Sequence, residues 1–232
     1  VFLPIVFICY WFVFNKTIKR QNLFVLFASY TFYGWWDWRF LFLIAISTTV
    51  DYIVGQQLWR VESEKKRSFW LWLSIIGNLG FLGFFKYYNF FLEEFIGVFS
   101  FLGYKISVSS LNIILPVGIS FYTFQTLSYT IDVYKRKIEP TRDWIAFTAF
   151  VSFFPQLVAG PIERARDLLP QFFKKRDFDY HKGVDGLQQI LWGFFKKIVI
   201  ADNCAQFADL IFAESAELNG STLLLGAFFF AF

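Results

Sequence analysis

The sequence has no methionine, a single histidine (His181) and only two cysteines, Cys9 and Cys204. The cysteines lie far apart in apolar surroundings, so we expect two buried, inert thiols rather than a disulfide framework or a metal site. His181 lies between Tyr180 and Lys182, which is typical of a solvated surface residue rather than of a general base in a pocket. A glycine-rich phosphate loop and a serine or cysteine nucleophile with its base are also missing. The residues present therefore predict neither a catalytic set nor a bound metal.

Charged residues are scarce as well: they make up 17% of the 232 residues, while 56% are hydrophobic and 24% aromatic. A soluble domain with 35 Phe, 11 Tyr and 9 Trp would expose more apolar surface than water tolerates. The net charge of +4 comes from basic residues in short loops between apolar runs, which is typical of membrane orientation signals and not of nucleic-acid binding. The composition predicts an all-α fold, a polytopic integral membrane helical bundle that forms one domain over residues 1–232.

Uncharged apolar runs occupy both ends of the sequence, at 1–14 and at 223–232. No small-residue cleavage site follows the first run, so we interpret it as part of a membrane helix rather than as a signal peptide. We expect the sequence to be the N-terminal part of a longer protein, truncated at both ends.

Two basic segments predict the orientation of the N-terminal part. The segment 15–22 carries three basic residues and the segment 60–67 carries four, and both are expected on the cytoplasmic side. The Trp-rich segment 33–39 between them is expected at the opposite lipid–water boundary, as a tight turn. Asp51 lies in the next apolar run, where it needs a polar partner or a wet cavity, or else reaches the boundary by snorkelling, which we favour.

An uncharged run of 17 residues at 69–85 approaches the length of about 20 that a membrane crossing needs. Gly77, Gly80 and Gly83 recur in it every three residues and predict a face on which a neighbouring helix packs closely. The shorter run 95–104 is expected to lie in the membrane interface.

The uncharged run 106–131 has 26 residues, and its helix is expected to begin near Pro116. Hydroxyl and amide side chains are frequent in it, namely Ser120, Tyr122, Thr123, Gln125, Thr126, Ser128, Tyr129 and Thr130. They are too numerous for a helix that faces lipid, so we expect this helix inside the bundle, against protein or water.

The segment 150–166, FVSFFPQLVAGPIERAR, combines an apolar run with backbone breakers. Pro155 removes a backbone donor, and Gly160 and Pro161 favour further non-helical angles, so the backbone is expected to break at or near membrane depth. Broken backbone is tolerated there only where protein buries it or where it lines a wet cavity. Basic loops on both sides favour a re-entrant segment that opens to the cytoplasm; a kinked structural helix followed by a basic loop is the alternative.

Apolar residues recur at helical spacing after the polar segment 171–182, at Leu187, Ile190, Leu191, Phe194, Phe195 and Ile198. They predict an amphipathic helix that lies on the cytoplasmic face or covers the bundle. The basic cluster of Arg164, Arg166, Lys174 and Lys175 is expected to be a positive-inside anchor; contact with anionic lipid or an anionic donor is the alternative.

Several motifs resemble those of a known family. ILPVGISFYTFQTLSYTIDVYK at 114–135 resembles a signature of the membrane-bound O-acyltransferase family, in its alginate O-acetyltransferase branch. FFPQLVAGPIERARDLLPQF at 153–172 resembles a second block and GFFKKIVIAD at 193–202 a third. ASYTFYGWW at 28–36 and FKYYNF at 85–90 also match, so the resemblance runs through nearly the whole chain.

The resemblance implies a multi-pass enzyme of a bacterial inner membrane, with a cavity that crosses the bilayer. It implies transfer of an acyl group, expected to be acetyl, from a thioester donor (acetyl-CoA or an acyl carrier) to an extracytoplasmic polysaccharide such as alginate, or to a relay protein. Periplasmic acetylation proteins are the implied partners. In that family the essential histidine follows a block resembling DFSGYSD, which this sequence lacks, and His181 does not match it. The fragment alone is therefore expected to be inactive.

Six residues of the polar run and the broken segment are then expected to line or shape the cavity or to bind the donor, without a bound cofactor: Ser120, Tyr122, Gln125, Gly160, Pro161 and Arg164. Transfer of D-alanine to teichoic acid, by a related branch, is one alternative. A transporter or channel is another, although the paired inverted halves and mid-membrane charges that favour it are not evident.

Overall fold

The structure is a computed structural model that describes residues 1–101, 116–158 and 160–232. These residues form helices and connecting segments, with no β-strand among them, so the all-α prediction is confirmed. The chain separates into two compact units, Val1–Arg176 and Asp177–Phe232. A single membrane domain over residues 1–232 stays a prediction.

The first unit holds eight of the helices described. They are α1 (Phe2–Ile8, continued by a π-helical turn at Cys9–Val13), α2 (Ile18–Trp36), α3 (Arg39–Arg60), α4 (Glu64–Phe101), α5 (Ile119–Tyr134), α6 (Trp144–Val151), α7 (Phe154–Leu157) and α8 (Ala165–Leu168, continued by a 3₁₀ turn at Leu169–Phe172). Side chains cap the N-termini of α2 and α6: the Thr17 hydroxyl accepts from the Arg20 N–H, and the Asp143 carboxylate accepts from the Ala146 N–H. The run 95–104 continues α4 as far as Phe101, and its remainder lies outside the described residues.

The second unit consists of α9 (Tyr180–Phe194, continued by a π-helical turn at Phe195–Ala201), α10 (Asp202–Ala213) and α11 (Gly220–Ala231). Helices α10 and α11 pack closely together. A Cβ at Gly226 of α11 would lie only 2.6 Å from the Ile211 side chain of α10. The amphipathic helix predicted from Leu187 onward is present, and its apolar residues are exposed. What covers that apolar face stays a prediction.

Two of the described helices are long and apolar enough to cross a membrane, α3 over Arg39–Arg60 and α4 over Glu64–Leu92. Only 39% of the apolar window of α3 and 17% of that of α4 is buried inside the protein. A core helix of a soluble protein would be mostly buried, so the exposed apolar surface of both helices fits a lipid environment. The number of crossings and their orientation stay predictions.

A turn of two residues, Asp37 and Trp38, joins α2 to α3, as the Trp-rich segment predicts. Trp35 is 90% and Trp36 70% exposed. The Arg39 side chain donates to the Asp37 carboxylate, with Nε 2.9 Å from Oδ1, and these hydrogen bonds lower the pKa of the Asp37 carboxyl. The turn is confirmed, while its place at a membrane boundary stays a prediction.

Helix α5 lies at the centre of the first unit, packed against α3 and α4. It begins at Ile119, three residues after Pro116, and most of its polar side chains are buried. Tyr129 and Phe147 of α6 are fully buried, with ring centroids 4.6 Å apart. The prediction that this polar helix sits inside the bundle is confirmed; the first part of the run, 106–115, lies outside the described residues.

The predicted glycine packing face on α4 is not where the described helices meet. A Cβ at Gly77, Gly80 or Gly83 would have no described heavy atom within 4 Å. Helix α4 instead turns Ser74, Asn78 and Leu82 inward, because its polar side chains find partners on α3 and α5. The close approach occurs at Gly55 of α3, where a Cβ would lie 2.8 Å from the Tyr129 ring.

Candidate functional site

The segment 150–166 breaks where its sequence predicts. Helix α6 ends at Val151 after eight residues, a rise of about 12 Å, which is less than half of the roughly 30 Å of a bilayer's hydrocarbon core. The short helix α7 follows, with Pro155 in its first turn, and the described residues between Leu157 and Ala165 form no helix. The break is confirmed, and the re-entrant path through a membrane stays a prediction.

Two side chains satisfy the backbone groups that the break leaves free. In a continuous helix the Phe154 N–H would bond to the Phe150 carbonyl. Here the Phe154 N–H donates to Ser29 Oγ (3.2 Å), and Gln125 Nε2 donates to the Phe150 carbonyl (3.1 Å). Ser29 on α2 and Gln125 on α5 are both buried. At the end of α6 the free backbone groups are therefore satisfied by protein, one of the two conditions under which broken backbone is tolerated at membrane depth.

The start of α5 packs directly on the end of α7. Gly118 has a φ of +78°, and a Cβ there would lie 2.3 Å from the Leu157 carbonyl oxygen. Only glycine fits this close approach with this backbone conformation. On the other side, the Tyr33 hydroxyl of α2 donates to the Val117 carbonyl over 2.8 Å. Helix α2, the start of α5 and the broken segment thus meet at one place.

A groove of about 930 Å³ lies at this meeting point, within the size range of small-molecule sites. Its walls include Tyr33, Trp35, Trp36, Val117 and Val158. They are mostly apolar and aromatic, so the groove can hold an apolar or sugar-like group, and its described walls include neither a histidine nor a carboxylate.

The predicted site residues fall into two groups. On α5, Ser120 is half-buried, while Tyr122 and Gln125 are buried, and Tyr122 lines a separate cavity of about 10 Å³, which has room for about one water. In the segment after α7, Pro161 and Arg164 are exposed. The packing of Gly118 on Leu157 brings the two chain segments together; a role of the six residues in lining a substrate cavity stays a prediction.

The structure explains why residue 160 is a glycine. A Cβ at this position would lie 2.3 Å from Gln156 Cα, and the Gly160 N–H donates to the Gln156 carbonyl over 3.1 Å. The chain therefore turns back on α7 so tightly that no side chain fits.

Sequence reasoning missed Gln156. Its side chain is 9% exposed, and its Nε2 is buried without a hydrogen-bond partner among the described residues. A buried unpaired amide costs about 1–3 kcal/mol, so such a group calls for a functional or structural reason. The available signal was that Gln156 is the only amide side chain between Trp144 and Ile162.

A second polar centre lies between α3, α4 and α5, around Asp51. Asp51 is completely buried, so the expectation that it snorkels to the boundary is wrong. Its carboxylate accepts from Ser74 Oγ (2.5 Å), from Asn78 Nδ2 (2.8 Å to Oδ2) and from Thr130 Oγ1 (3.3 Å). A buried carboxylate is costly in a membrane unless it has polar partners, and here hydroxyl and amide groups on two neighbouring helices provide them.

The side-chain oxygen of Asn78 is hydrogen-bonded as well. Its Oδ1 accepts from Ser47 Oγ (3.0 Å) and from Thr126 Oγ1 (3.3 Å). Asn78 therefore connects α3, α4 and α5 with its donor and its acceptor groups. This arrangement fixes the three helices against one another and suits a structural role, because a fully satisfied polar network specifies one packing.

The other candidate reactive groups lie apart from these centres. His181 is exposed in the first turn of α9, as predicted, and its backbone N–H donates to Asp179 Oδ1. Cys9 and Cys204 are free, but they are half-buried rather than buried. Among the described residues no group of histidine, cysteine and acidic side chains could hold a metal ion.

Comparison with known proteins finds relatives over most of the chain. The chain is 40% identical over 210 residues to the probable alginate O-acetylase AlgI of Azotobacter vinelandii, which covers 89% of the chain and 41% of that protein. It is 39% identical over 207 residues to the probable alginate O-acetylase AlgI of Pseudomonas aeruginosa, covering 89% of the chain and 39% of that protein. It is also 33% identical over 246 residues to a peptidoglycan O-acetyltransferase of Helicobacter pylori, covering 94% of the chain and 46% of that protein.

No family model matches the chain, and no solved structure matches it. The chain spans less than half the length of these curated relatives. The similarity nevertheless extends over about nine tenths of the chain. Over the part that it shares with these relatives, the chain is similar to bacterial O-acetyltransferases, in agreement with the resemblance of its motifs to the membrane-bound O-acyltransferase family.

Proposed function

We propose that the protein containing this chain is a membrane-embedded O-acetyltransferase that acetylates hydroxyl groups of an extracytoplasmic polysaccharide, with alginate as the first acceptor to test. The observation that carries the proposal is the 40% identity to probable alginate O-acetylases over 89% of the chain. The protein would be a multi-pass protein of a bacterial inner membrane. A peptidoglycan acceptor is the second candidate, because the Helicobacter relative carries that name.

In the proposed reaction, the acceptor hydroxyl oxygen forms an ester bond to the acetyl carbon as the carbon–sulfur bond of the thioester donor breaks. The hydroxyl proton ends on the leaving thiol. A histidine in the remainder of the longer protein would act as the general base. The donor would be acetyl-CoA or an acyl carrier, and periplasmic acetylation proteins or a relay protein would receive the group where the polymer itself does not.

In the proposed reaction, this chain shapes the cavity in which donor and acceptor meet. Helix α5 carries Ser120, Tyr122 and Gln125 into the bundle, and the broken segment lies against the start of α5. We propose that Gln156 donates its unpaired Nε2–H to a substrate carbonyl or hydroxyl oxygen. An amide that lacks a partner among the described residues can make this bond without breaking another.

The test uses the full-length protein in a strain that lacks its own copy. We expect the wild-type protein to restore ester-linked acetyl groups on the exported polysaccharide, measured by NMR of the purified polymer. Peptidoglycan from the same cells, digested and analysed by mass spectrometry, distinguishes the second acceptor. Acetylation of neither polymer at a normal protein level would contradict the proposal.

Gln156→Met provides the residue-level test, because methionine has a similar length but no donor. We expect acetylation to fall about tenfold or more, which corresponds to the loss of one hydrogen bond in the transition state. Protein abundance should not fall, since the substitution removes a buried unpaired amide. Gln188→Met, at an exposed glutamine of α9, is the matched control and should leave acetylation unchanged. Wild-type acetylation by Gln156→Met would remove Gln156 from the site.

A further inference from the structure

A second cleft, of about 570 Å³, lies on the first unit between the turn after α1 and the N-terminal half of α2. Two basic side chains, Lys16 and Arg20, line one end of it. Its walls continue along α2 with Leu23 and Phe27, which are 53% and 70% exposed. The cleft therefore has a cationic end and an apolar body.

Local structure builds the floor of this cleft. The π-helical turn Cys9–Val13 ends α1 and places Phe14 against Phe24, with the rings stacked at 4.5 Å and 10° between their planes. The Thr17 hydroxyl caps α2 by accepting from the Arg20 N–H. The floor and the cationic end are thus held by contacts within the protein, before anything binds.

The charges at the cationic end are not neutralised by the residues that the structure describes. Among the described residues no carboxylate forms an ion pair with Lys16 or Arg20. Both side chains are exposed. An anion at this end would therefore gain two unpaired cations.

The spacing along α2 selects the kind of anion. Arg20 and Phe27 are seven residues apart and lie on the same face of α2, separated by about 10 Å along the helix axis. A leaflet of a bilayer is about 15 Å deep, so a group held at Lys16 and Arg20 would have its hydrophobic tail along Leu23 and Phe27 for most of that depth. A free phosphate would leave the apolar body empty, and a zwitterionic lipid would bring its own cation to Lys16 and Arg20.

We propose that this cleft is a binding site for an anionic phospholipid, with the phosphate at Lys16 and Arg20 and an acyl chain along Leu23 and Phe27. The site is independent of the proposed acetyl transfer and uses none of the residues assigned to it. It is also distinct from a general attraction of basic loops to an anionic membrane surface, because it includes a shaped apolar wall.

The test measures lipid binding to the purified full-length protein by native mass spectrometry. Dilauroyl phosphatidylglycerol and dilauroyl phosphatidylcholine are titrated separately, so that only the headgroup differs. We expect tighter binding of phosphatidylglycerol by the wild-type protein. Replacing both cations, Lys16→Gln with Arg20→Gln, should weaken that binding about 25-fold, or about fivefold for each basic side chain.

Two matched controls separate the cleft from nonspecific attraction. Lys19→Gln with Lys65→Gln removes two exposed basic residues of nearby segments that do not line the cleft, and should weaken binding less than about threefold. Phe27→Ser leaves the charge unchanged and should weaken phosphatidylglycerol binding, whereas Phe42→Ser, at an apolar residue of α3 that is also exposed, should not.

Three outcomes would overturn the proposal. An equal loss in the Lys19 and Lys65 control would show general surface attraction. Displacement of phosphatidylglycerol by millimolar inorganic phosphate would show a free-anion site. Equal binding of the two lipids by the wild-type protein would show that the cleft does not select the anionic headgroup, as would happen if another segment of the protein filled it.

Discussion

Removing the Asp51 carboxylate should destabilise the first unit, because three donors lose their acceptor at once. In the Asp51→Ala variant, the Ser74 and Thr130 hydroxyls can rotate toward carbonyls of their own helices, as buried hydroxyls in helices often do. The Asn78 amide keeps its hydrogen bond to the Ser74 carbonyl of its own helix (3.0 Å), but the N–H that faces the carboxylate loses its acceptor, and its Oδ1 still accepts from Ser47 and Thr126. This one unpaired N–H should cost about 1–3 kcal/mol.

The loss of side-chain volume adds to this cost, and we expect a total of about 2–4 kcal/mol for Asp51→Ala. For a protein of this size, that corresponds to a fall in melting temperature of roughly 5–15 °C. Asp51→Asn keeps the shape and one acceptor oxygen, and its new amide group can donate to Ser74 Oγ or Thr130 Oγ1. It should therefore lower the melting temperature by less than a third as much.

The assay is thermal unfolding of the detergent-purified protein, followed by the fraction that stays soluble and monodisperse. Asp185→Ala is the matched control, because Asp185 is exposed on α9 and bonds only the Gln189 side chain among the described residues. It should change stability by less than about 0.5 kcal/mol. If Asp51→Ala melts like Asp185→Ala, the polar network contributes nothing to the stability of the first unit.

The double variant tests the network itself. Asp51→Ala combined with Asn78→Leu should cost less than the sum of the two single changes, by about 0.5–3 kcal/mol, because one removes the partner that the other leaves unpaired. Additive effects would show that Asp51 and Asn78 act independently.

Two glycines give further predictions, measured by the same unfolding assay. Gly55→Ala should lower the free energy of unfolding by about 1–3 kcal/mol, because its Cβ would lie 2.8 Å from the Tyr129 ring. Gly80→Ala is the control and should leave stability unchanged, because no described atom lies within 4 Å of its Cβ. Equal losses of stability in the two variants would contradict the packing of α3 on α5. Gly118→Ala should cost more than Gly55→Ala, because its Cβ meets the rigid backbone at Leu157 and its φ is +78°. A Gly118→Ala protein as stable as wild type would contradict the close approach of α5 and α7.

Much of the fold was predictable because its signals are local. Proline and glycine restrict the backbone wherever they occur, so the break after Val151 and the start of α5 near Pro116 could be placed from sequence. The polar content of α5 excluded a lipid-facing position in the same way. Each of these inferences depends on residues that are neighbours in the chain.

The pairing of faces was not predictable, because it depends on residues that are distant in the chain. Helix α4 has a glycine face and a polar face carrying Ser74 and Asn78, and its periodicity shows both. Only the position of Asp51, on another helix, decides that the polar face turns inward. The unpaired Gln156 was missed for the same reason, since its environment is set by how the broken segment packs.

We propose that the protein moves an acetyl group from a thioester to a polysaccharide hydroxyl. The most direct measurement supplies acetyl-CoA labelled with carbon-13 to membrane vesicles that contain the full-length protein, its periplasmic partners and alginate, and follows the label by NMR. We expect labelled O-acetyl esters on the polymer when the protein is present and none when it is left out. Unlabelled polymer in the presence of intact protein, partners and donor would contradict the claim.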